Sequence, residues 1–526
     1  MGMPGFPSGN EAHDFCGVAA VYLKKDLSHY PPGGALYFLQ KMLLQLQHRG
    51  QLSAGVTIFD ERKPDLLKTH KGNGLVGEVF SLSDSEKSEK LFSEYAGKVG
   101  IGHTRYATSG SDLCADAQPF ERTHTRLWKW FSFAFNGNIT NAPEMRKMLT
   151  EKGYHFKSKT DTEVLMHAIA HGLGSDDPQS LESGFAELSN QLDGAYTLVF
   201  VNAQGELVVL RDPYGFKPLS FVDTEDFFLA ASESVALRPF ATHGIQDLNP
   251  GEMIRVHQNK TIRSRFTAST HPISPCMFEW VYFASAGSTL QGSSVYEARY
   301  RLGEELAKNE TLSTNKEEWV VVSVPDTSKP AADGYAFTLQ LPSKEGLLRN
   351  RYVGRTFIEG GKWQDKVREK FTINTSVVEG KKVILVEDSV VRGNTLKQIA
   401  QRIREEGKAI EVHARISCPP IFNPCFYGID MSTFTELVAA RQGEQNPDRE
   451  RVGWNPGMGE KLAHELGVDS LRYQSIEGLF HALRVPSSKL CTACLNGKYP
   501  TPSGKNLARE AWERYSLAQG GRPHDA

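Results

Sequence analysis

In the second half of the chain, short apolar runs alternate with helical patterns. Residues 383–386 are four consecutive apolar positions and predict a buried strand, and 320–324 has the same character. Apolar positions at helical spacing follow at 396–403, with Asn394 or Thr395 as the predicted N-cap. Strands that alternate with helices predict a parallel, doubly wound sheet, which binds its ligands at the carboxyl ends of the strands.

The first half shows several strand-like runs, including the apolar run behind Cys16 and residues 195–202 and 206–211, which predict layered sheets with helices. Residues 100–108 indicate a strand that leads into a loop. The dipeptide at 136–137 is Asn-Gly, which predicts a turn.

The bulk properties narrow the class of protein. At 526 residues the chain is long enough for two to four domains, and its net charge of -2 gives no reason to expect nucleic-acid binding. There is no apolar run of membrane-spanning length and no secretory signal, which favours a cytoplasmic protein without membrane contact. Seven cysteines do not suggest a disulfide framework.

The turn after the strand at 383–386 carries candidate chemistry. Glu387 and Asp388 lie where the strand ends, hydroxyls follow, and a helix begins after Gly393. A helix start presents backbone N–H groups to an anion, and adjacent acids can bind ribose hydroxyls, so the pattern fits a ribose-phosphate site as well as it fits an ordinary turn with surface acids. The stretch also resembles the phosphoribosyl pyrophosphate (PRPP) motif of phosphoribosyltransferases, with Glu387-Asp388 in place of the usual Asp-Asp.

In the first half, Cys16, Arg105, Asn136-Gly137 and Asp161 each have an ordinary interpretation, as packing, surface charge, hairpin or helix cap. In this order, from Cys16 to about residue 255, the segments resemble the class II glutamine amidotransferase domain, an N-terminal-nucleophile (Ntn) hydrolase.

That resemblance implies removal of a leader, residues 1–15, so that Cys16 becomes the first residue. Its free α-amine, with an ordinary pKa of about 7.7–8.0, would act as general base for the thiol. The resemblance assigns the oxyanion contacts to Asn136 and Gly137, the substrate carboxylate to Arg105, and the substrate ammonium to Asp161. The family commonly has His where this chain has Phe135, a change that we do not expect to abolish activity.

The arginine-rich stretch at 348–359 is typical of a solvated loop or of a lid over pyrophosphate. With Pro325-Asp326-Thr327 and the PRPP motif, it resembles the glutamine phosphoribosylpyrophosphate amidotransferase family, over most of the chain to about residue 500. The resemblance implies the first committed step of purine synthesis, in which glutamine and PRPP give phosphoribosylamine, glutamate and pyrophosphate through a cysteine thioester and channelled ammonia.

The resemblance also implies the PRPP contacts and a Mg²⁺ ion. The residues assigned to PRPP are Asp326, Thr327, Arg351, Arg355, Glu387, Asp388, Ser389, Arg392, Gly393, Asn394 and Thr395, with Thr327, Glu387 and Asp388 also at the Mg²⁺. Thr327 and Asn394 differ from the usual Ser and Thr. At 282–288 the chain lacks the family's Ala-Arg-Pro-Asp-Ser, which puts in question any contact of that arginine and aspartate.

Four cysteines lie in motif contexts that match one branch of this family. They are Cys276, Cys425, Cys491 and Cys494, the last two as Cys-x-x-Cys. Four thiolates suit a [4Fe–4S] cluster or Zn²⁺, and the resemblance favours the cluster in a structural role. We expect the remaining cysteines, Cys114 and Cys418, to serve packing.

The implied architecture combines α+β and α/β classes: an N-terminal four-layer αββα Ntn-hydrolase domain, 16–270, followed by a parallel-sheet phosphoribosyltransferase domain, 271–500. Residues 1–15 are the expected propeptide and 501–526 a C-terminal tail. The resemblance further implies inhibition by purine nucleotides and a homo-oligomer, dimer or tetramer. The alternatives are another class II amidotransferase, such as a sugar-phosphate aminating enzyme, and a non-catalytic regulatory paralogue.

Overall fold

The computed structural model describes residues 16–106, 114–174, 180–267, 271–350, 368–442 and 456–519. The chain divides into two compact units. The first runs to Ile273 and also includes the later segment Phe426–Asp430, and the second comprises Ser274–Cys425 and the chain from Met431 onward.

The first unit contains two antiparallel sheets. The strands, numbered along the chain, are β1 Gly17–Leu23, β2 Ser53–Phe59, β3 Leu67–Asn73, β4 Val99–Arg105, β5 Phe120–Arg122, β6 Phe131–Ile139, β7 Gly194–Asn202, β8 Leu207–Arg211, β9 Ser220–Asp223, β10 Phe227–Ala231, β11 Gln246–Asp247, β12 Glu252–His257 and β13 Lys260–Arg265. One sheet has the order β11-β9-β10-β1-β4-β2-β3, and the other has the order β13-β12-β8-β7-β6-β5.

The helices of the first unit are α1 Ala35–Gln45, α2 Val76–Val79, α3 Ser85–Glu94, α4 Ala142–Glu151, α5 Asp161–Gly172 and α6 Leu181–Gln191. The Thr160 side chain accepts the backbone N–H of Glu163 and so caps the first turn of helix α5.

Three apolar layers hold these elements together. Alternate residues of β1 and β4 meet residues of β6, β7 and β8, which form a core between the two sheets. The outer face of the first sheet packs on α1, and the outer face of the second packs on α4, α5 and α6. The order helix, sheet, sheet, helix is the predicted four-layer αββα arrangement.

The second unit is built on a parallel sheet. Its strands are β14 Thr289–Leu290, β15 Ser293–Ser294, β16 Trp319–Ser323, β17 Leu347–Arg349, β18 Phe371–Ile373, β19 Lys382–Glu387, β20 Glu411–Ile416 and β21 Ser470–Tyr473. Its helices are α7 Val295–Lys308, α8 Lys329–Leu339, α9 Thr375–Val378, α10 Asn394–Glu405, α11 Pro456–Leu466, α12 Ile476–Leu483, α13 Ala493–Asn496 and α14 Pro502–Gln519.

The parallel sheet has the order β16-β19-β20-β21, and β16 pairs with β19 so that Ser323 faces Val386. The polar turns after these two strands therefore lie at the same edge of the sheet. Helices α7 and α8 cover one face with apolar side chains, which confirms the predicted alternation of strands and helices.

Two local predictions are wrong. Asn136-Gly137 is not a turn but lies inside β6, where all nine residues are buried and the favourable pairing with β7 overrides the local preference. The N-cap of α10 is Gly393, one residue before the predicted positions, because glycine accepts the left-handed φ of +82° that the turn requires.

The predicted C-terminal tail, 501–526, contains the 18-residue helix α14, while the expected propeptide, 1–15, lies outside the described residues. Among the described helices none is long and apolar enough to cross a membrane.

Candidate functional sites

Cys16, the predicted nucleophile, immediately precedes strand β1. Cys16 is fully buried, and its backbone carbonyl accepts a hydrogen bond from Nε of Arg49 at 3.3 Å. Arg49 in turn donates to the buried carboxylate of Glu233 at 2.5 Å. This buried charge pair lies beside the predicted nucleophile and holds the start of the strand.

Arg105 ends the neighbouring strand. Because Gly17 pairs with Thr104, Cys16 and Arg105 lie one position further along the same antiparallel ladder. Arg105 is buried, with 4% of its surface exposed. The predicted nucleophile and the predicted carboxylate-binding residue are thus brought together at one end of the sheet.

His103, which pairs with Val18 in the same ladder, is fully buried. Burial lowers its pKa to about 3, and the nearby Arg105 guanidinium lowers it in the same direction. A histidine with that pKa is neutral and too weak a base to take a proton from a thiol near neutral pH.

Asn136 is the most informative polar residue of β6. It is fully buried, and among the described residues neither atom of its side-chain amide has a hydrogen-bond partner. A buried amide without a partner is costly, so the position suits a ligand that supplies one. Gly137 follows at a φ of +150°, and a Cβ there would lie 1.8 Å from the carbonyl oxygen of Ala195, so only glycine fits.

Asp161 lies at the first position of α5 and accepts the backbone N–H of Ile139 at 3.3 Å. Because Ile139 belongs to β6, the predicted ammonium partner lies beside the strand that carries Asn136 and Gly137. The structure therefore gathers the predicted glutaminase residues from β1, β4, β6 and α5.

A loop at 211–218 supports this region. The Arg211 guanidinium donates to the carbonyls of Lys217, Gly215 and Leu248 at 2.7, 2.8 and 2.8 Å. Burial raises the pKa of Asp212 to about 6, although four backbone N–H groups hydrogen-bond its carboxylate. These contacts hold the loop from several sides.

The segment Phe426–Asp430 reaches the same strand from far along the chain. The Asn138 amide donates to the Phe426 carbonyl at 2.9 Å, and the Tyr427 ring stacks on Phe216 with centroids 4.3 Å apart. No short-range pattern in the sequence indicates this contact, because it joins residues separated by 288 positions.

In the second unit the two predicted turns meet. The Thr327 hydroxyl, after β16, donates to the carboxylate of Asp388, after β19, and the Ser389 hydroxyl donates to the other oxygen at 2.7 Å. Burial raises the pKa of Asp388, and these two hydroxyls act in the opposite direction.

Glu387 precedes it at the last position of β19. Burial raises the pKa of Glu387 well above its ordinary value, and the adjacent Asp388 raises it further. A cation beside Glu387 and Asp388 would offset the effect of burial on both carboxyl groups, and the same groups can bind ribose hydroxyls.

The turn that follows carries the predicted phosphate contacts. Helix α10 begins at Asn394 with Thr395 in its first turn, and no side chain caps its first N–H groups in the described structure. Gly393 has little room for a side chain, since a Cβ would lie 2.8 Å from Leu466. Arg392 pairs with Glu436 on the surface, so its guanidinium already has a carboxylate partner.

The remaining PRPP predictions divide into two groups. Asp326, in the turn after β16, accepts a hydrogen bond from Arg349 at 2.6 Å. Arg351 and Arg355 lie outside the described residues.

The four predicted cluster cysteines converge within the second unit. Cys276 and Cys491 face each other in a parallel β-bridge, and the Cys494 carbonyl accepts the N–H groups of Phe422 and Asn423, close to Cys425. All four are buried. Burial raises the pKa of the Cys494 thiol, and the thiols of Cys425, Cys276 and Cys491 raise it further.

The geometry nevertheless stops short of a metal site. Within the described ranges, no group of three or more His, Cys, Asp or Glu side chains is arranged to hold a metal ion. The two cysteines left for packing differ, since Cys418 is fully buried whereas Cys114 is exposed and the packing prediction for it is wrong.

The segment that departs from the family, 282–288, belongs to the second unit. Its first two residues belong to a one-turn π-helix, Glu279–Phe283, and the buried Arg299 of α7 donates to the carbonyls of Trp280 and Ala284 at 2.8 and 2.7 Å. The backbone there is anchored by α7 without the missing arginine and aspartate.

An Ntn-type sandwich with a buried cysteine, followed by a parallel sheet with two acids at the end of a central strand, is the architecture of a class II glutamine amidotransferase joined to a phosphoribosyltransferase. Comparison with known families agrees: residues 103–239 match the glutamine amidotransferase domain and 292–419 match the phosphoribosyl transferase domain.

Whole-chain relatives narrow the class. The chain is 38% identical to an amidophosphoribosyltransferase of Methanothermobacter thermautotrophicus, over 95% of this chain and 97% of that protein. It is 36% identical to one of Bacillus subtilis, over 87% of this chain and 90% of that protein. A solved structure of the B. subtilis glutamine PRPP amidotransferase, complexed with ADP and GMP, matches with a TM-score of 0.78 and 34% identity, over 93% and 98% of the two chains.

The chain belongs to the amidophosphoribosyltransferase family. It is a glycosyltransferase of purine biosynthesis with glutamine and PRPP as substrates, and the comparisons support this interpretation over a regulatory paralogue or another class II amidotransferase.

Proposed function

We propose that Cys16 performs the glutaminase half-reaction after the leader 1–15 is removed. The new α-amine takes the thiol proton, and the thiolate sulfur attacks the side-chain amide carbon of glutamine. The carbon–nitrogen bond breaks, ammonia leaves with that proton, and water hydrolyses the thioester to glutamate. The neutral, buried His103 supports the α-amine as the base, because the imidazole is too weak a base for this step.

The observation that carries the proposal is the buried, unpartnered amide of Asn136 beside Gly137. The tetrahedral intermediate places negative charge on the former carbonyl oxygen and needs preorganised donors. The Asn136 amide and the Gly137 N–H supply them. Arg105 binds the substrate carboxylate with its planar fork, and Asp161 binds the substrate ammonium.

The second half-reaction uses the edge of the parallel sheet. Ammonia attacks C1 of the ribose as pyrophosphate leaves from the opposite face. Glu387 and Asp388 hold the ribose hydroxyls, the turn from Ser389 to Thr395 holds the 5-phosphate at the start of α10, and Asp326, Thr327, Arg351 and Arg355 hold pyrophosphate. Because Arg392 is paired with Glu436, its contact with the phosphate requires that this surface pair open.

Mg²⁺ is the proposed cofactor of this step, and the raised pKa values of the two buried acids fit residues that await a cation. Thr327, Glu387 and Asp388 are the residues that would hold it. When bound, Mg²⁺ neutralises the negative charge that develops on pyrophosphate.

We also propose that Cys276, Cys425, Cys491 and Cys494 hold a structural [4Fe–4S] cluster. Support comes from their common burial and from the electrostatic effect of three of the thiols on the fourth. Since the described side chains do not form a metal site, binding requires that the thiols reorient. Iron and sulfide analysis after anaerobic purification distinguishes the cluster from Zn²⁺. Cys494→Ser should lose the metal, and the exposed Cys114→Ser should retain it.

Regulation and assembly complete the proposal. The B. subtilis relative in complex with ADP and GMP supports inhibition of this chain by purine nucleotides. Membership of the family supports a homo-oligomer, dimer or tetramer, and a cytoplasmic location.

The central experiment separates the two half-reactions. Cys16→Ala should abolish glutamine-dependent synthesis of phosphoribosylamine and preserve synthesis from added ammonia. Asn136→Ala should lower the glutamine-dependent kcat by about 10²–10³-fold with the ammonia reaction unchanged. Loss of both reactions in either variant would refute the assigned roles, and the intact mass of the mature protein tests removal of the leader.

A further inference from the structure

The edge of β6 beside the oxyanion residues is held by an unusual contact. β5 pairs with β6 only from Phe120, which faces Phe133. Two positions further along β6, the backbone N–H of Phe135 donates to the side-chain oxygen of Gln118 at 2.8 Å. Gln118 is 1% exposed.

The reason for this contact lies in the chain before β5. Pro119 has no N–H group and cannot continue the ladder, so the strand pairing stops there. Continued past Pro119, the register of β5 and β6 would bring position 118 opposite Phe135. The carboxamide of Gln118 therefore takes the acceptor role that a backbone carbonyl of β5 would have had, and it satisfies a buried donor.

This contact bears directly on the oxyanion site. In an extended strand, the N–H groups of alternate residues point to the same edge. The N–H of Gly137 is therefore the next donor after that of Phe135 along this edge, and Asn136 stands between the two. The hydrogen bond that holds the backbone of Phe135 therefore also helps to hold the next two residues, Asn136 and Gly137, which are the proposed oxyanion donors.

Gln118 is itself held in place. Nζ of the half-buried Lys71 donates to the carbonyl of Ala117 at 2.6 Å and lies 3.5 Å from that of Pro119. The backbone carbonyl of Gln118 packs against Gly55, where a Cβ would lie 2.5 Å from the oxygen. The segment around Gln118 is thus rigid on the side away from β6.

We propose that Gln118 is a positioning residue of the glutaminase site, which holds Phe135 so that Asn136 and Gly137 meet the developing oxyanion. The inference rests on the proposed role of these two residues. Gln118 acts through the strand and does not touch glutamine.

Two substitutions test whether the side-chain oxygen of Gln118 is needed as a hydrogen-bond acceptor. Gln118→Met keeps the length of the side chain and removes the acceptor, whereas Gln118→Glu keeps an acceptor oxygen. We expect Gln118→Met to lower the glutamine-dependent kcat by about 10-fold, less than outright loss of an oxyanion donor. The KM for glutamine and the ammonia-dependent rate should stay within about 2-fold of the parent values, because Arg105 and the PRPP site are untouched. Gln118→Glu should retain more kcat than Gln118→Met.

Ser132→Ala is the matched control. Ser132 is a buried residue of the same strand, and its hydroxyl donates to the Phe120 carbonyl at 3.2 Å and bonds Thr57. Its loss removes buried hydrogen bonds of β6 away from the oxyanion residues. An equal fall in kcat for Ser132→Ala and Gln118→Met would overturn the proposal, as would a parental kcat in Gln118→Met or an equal kcat in the two Gln118 variants.

Asn136→Ala, measured in parallel, separates this inference from the assignment on which it rests. A parental glutamine-dependent kcat in Asn136→Ala would refute the oxyanion assignment itself. A loss in Asn136→Ala without a loss in Gln118→Met would refute only the role of Gln118.

Discussion

The Thr327 hydroxyl donates a hydrogen bond to the carboxylate of Asp388 and so joins the ends of β16 and β19. The two residues are 61 positions apart, and the bond places both predicted halves of the PRPP site at one edge of the sheet. It also opposes the burial that raises the pKa of Asp388.

Thr327→Val removes this donor and should impair the phosphoribosyl step. A hydrogen bond to a charged group is worth about 1.5–3 kcal/mol, so we expect at least about a 10-fold loss of kcat/KM for PRPP. The rate of pyrophosphate release with ammonia as the nitrogen source measures it. Because the defect lies after glutamine hydrolysis, the ammonia-dependent and glutamine-dependent rates should fall together.

Thr327→Ser is the matched variant, since it keeps the hydroxyl and removes only the methyl group. It should retain most of the PRPP-dependent rate. If the valine and serine variants behave alike, the hydroxyl is not the group that matters at this position.

Gly137→Ala should eliminate most glutamine-dependent activity. The new Cβ would lie 1.8 Å from the Ala195 carbonyl oxygen, so β6 must move away from β7 and carry the proposed oxyanion donors with it. We expect a fall of about 10²-fold or more in the glutamine-dependent kcat, with the ammonia-dependent rate preserved.

Gly153→Ala separates the clash from backbone strain. Gly153 also has a positive φ, +88°, but a Cβ there meets no atom within 4 Å. Gly153→Ala therefore introduces backbone strain without a steric clash, and it should keep both the glutamine-dependent and the ammonia-dependent activity. A normal glutaminase rate in Gly137→Ala would show that the strand tolerates a side chain, contrary to the geometry.

Arg211→Lys should destabilise the glutaminase unit. The guanidinium serves three carbonyls in different directions, and a lysine ammonium cannot reach all three. Buried acceptors left unpaired cost about 1–3 kcal/mol each, so we expect the thermal midpoint of unfolding to fall by about 5–10 °C. Arg263→Lys, on a more exposed pair with Glu252, should change it by about 2 °C or less. Equal shifts would contradict the role of Arg211.

The sequence predicted best those features that depend on residues close together in the chain. The order of strands and helices and the position of the paired acids at the end of β19 follow from short-range patterns, and the structure confirms them. The prediction of a turn at Asn136-Gly137 was wrong because the local preference of this pair for a turn is weaker than the pairing of a fully buried strand.

Contacts between residues far apart in the chain could not be predicted from local sequence patterns. The hydrogen bond from Asn138 to Phe426 and the pairing of Arg49 with Glu233 join residues 288 and 184 positions apart. The role of Gln118 depends on where β5 stops, which is decided by tertiary pairing and by the following proline. Such contacts require the folded chain, because no periodicity encodes them.

A buried charge pair in the second unit gives a pH-dependent prediction. The Arg415 guanidinium donates to Glu310 at 2.5 Å, and the two side chains are 1% and 2% exposed. Burial alone would raise the pKa of Glu310, but the hydrogen bonds and charge of Arg415 outweigh it and lower this pKa to about 2.

The sign of the effect follows from linkage. An acid whose pKa is lower in the folded state than in the unfolded state stabilises the fold above the unfolded pKa, here about 4.3, and loses that contribution as pH falls toward about 2.

Glu310→Gln removes the charge and leaves Arg415 buried without a charged partner, which should cost about 3–5 kcal/mol near pH 7. The thermal midpoint of the second unit should therefore fall by about 6 °C or more at pH 7, whereas its difference from the parent should shrink steadily between pH 4.5 and the lowest pH at which the parent remains folded. Glu305→Gln, on a helix-surface pair with Lys308, is the control and should shift the midpoint by about 2 °C or less at any pH. A difference between Glu310→Gln and the parent that is the same at about pH 3 and at pH 7 would show that the charge of Glu310 is not what stabilises the sheet.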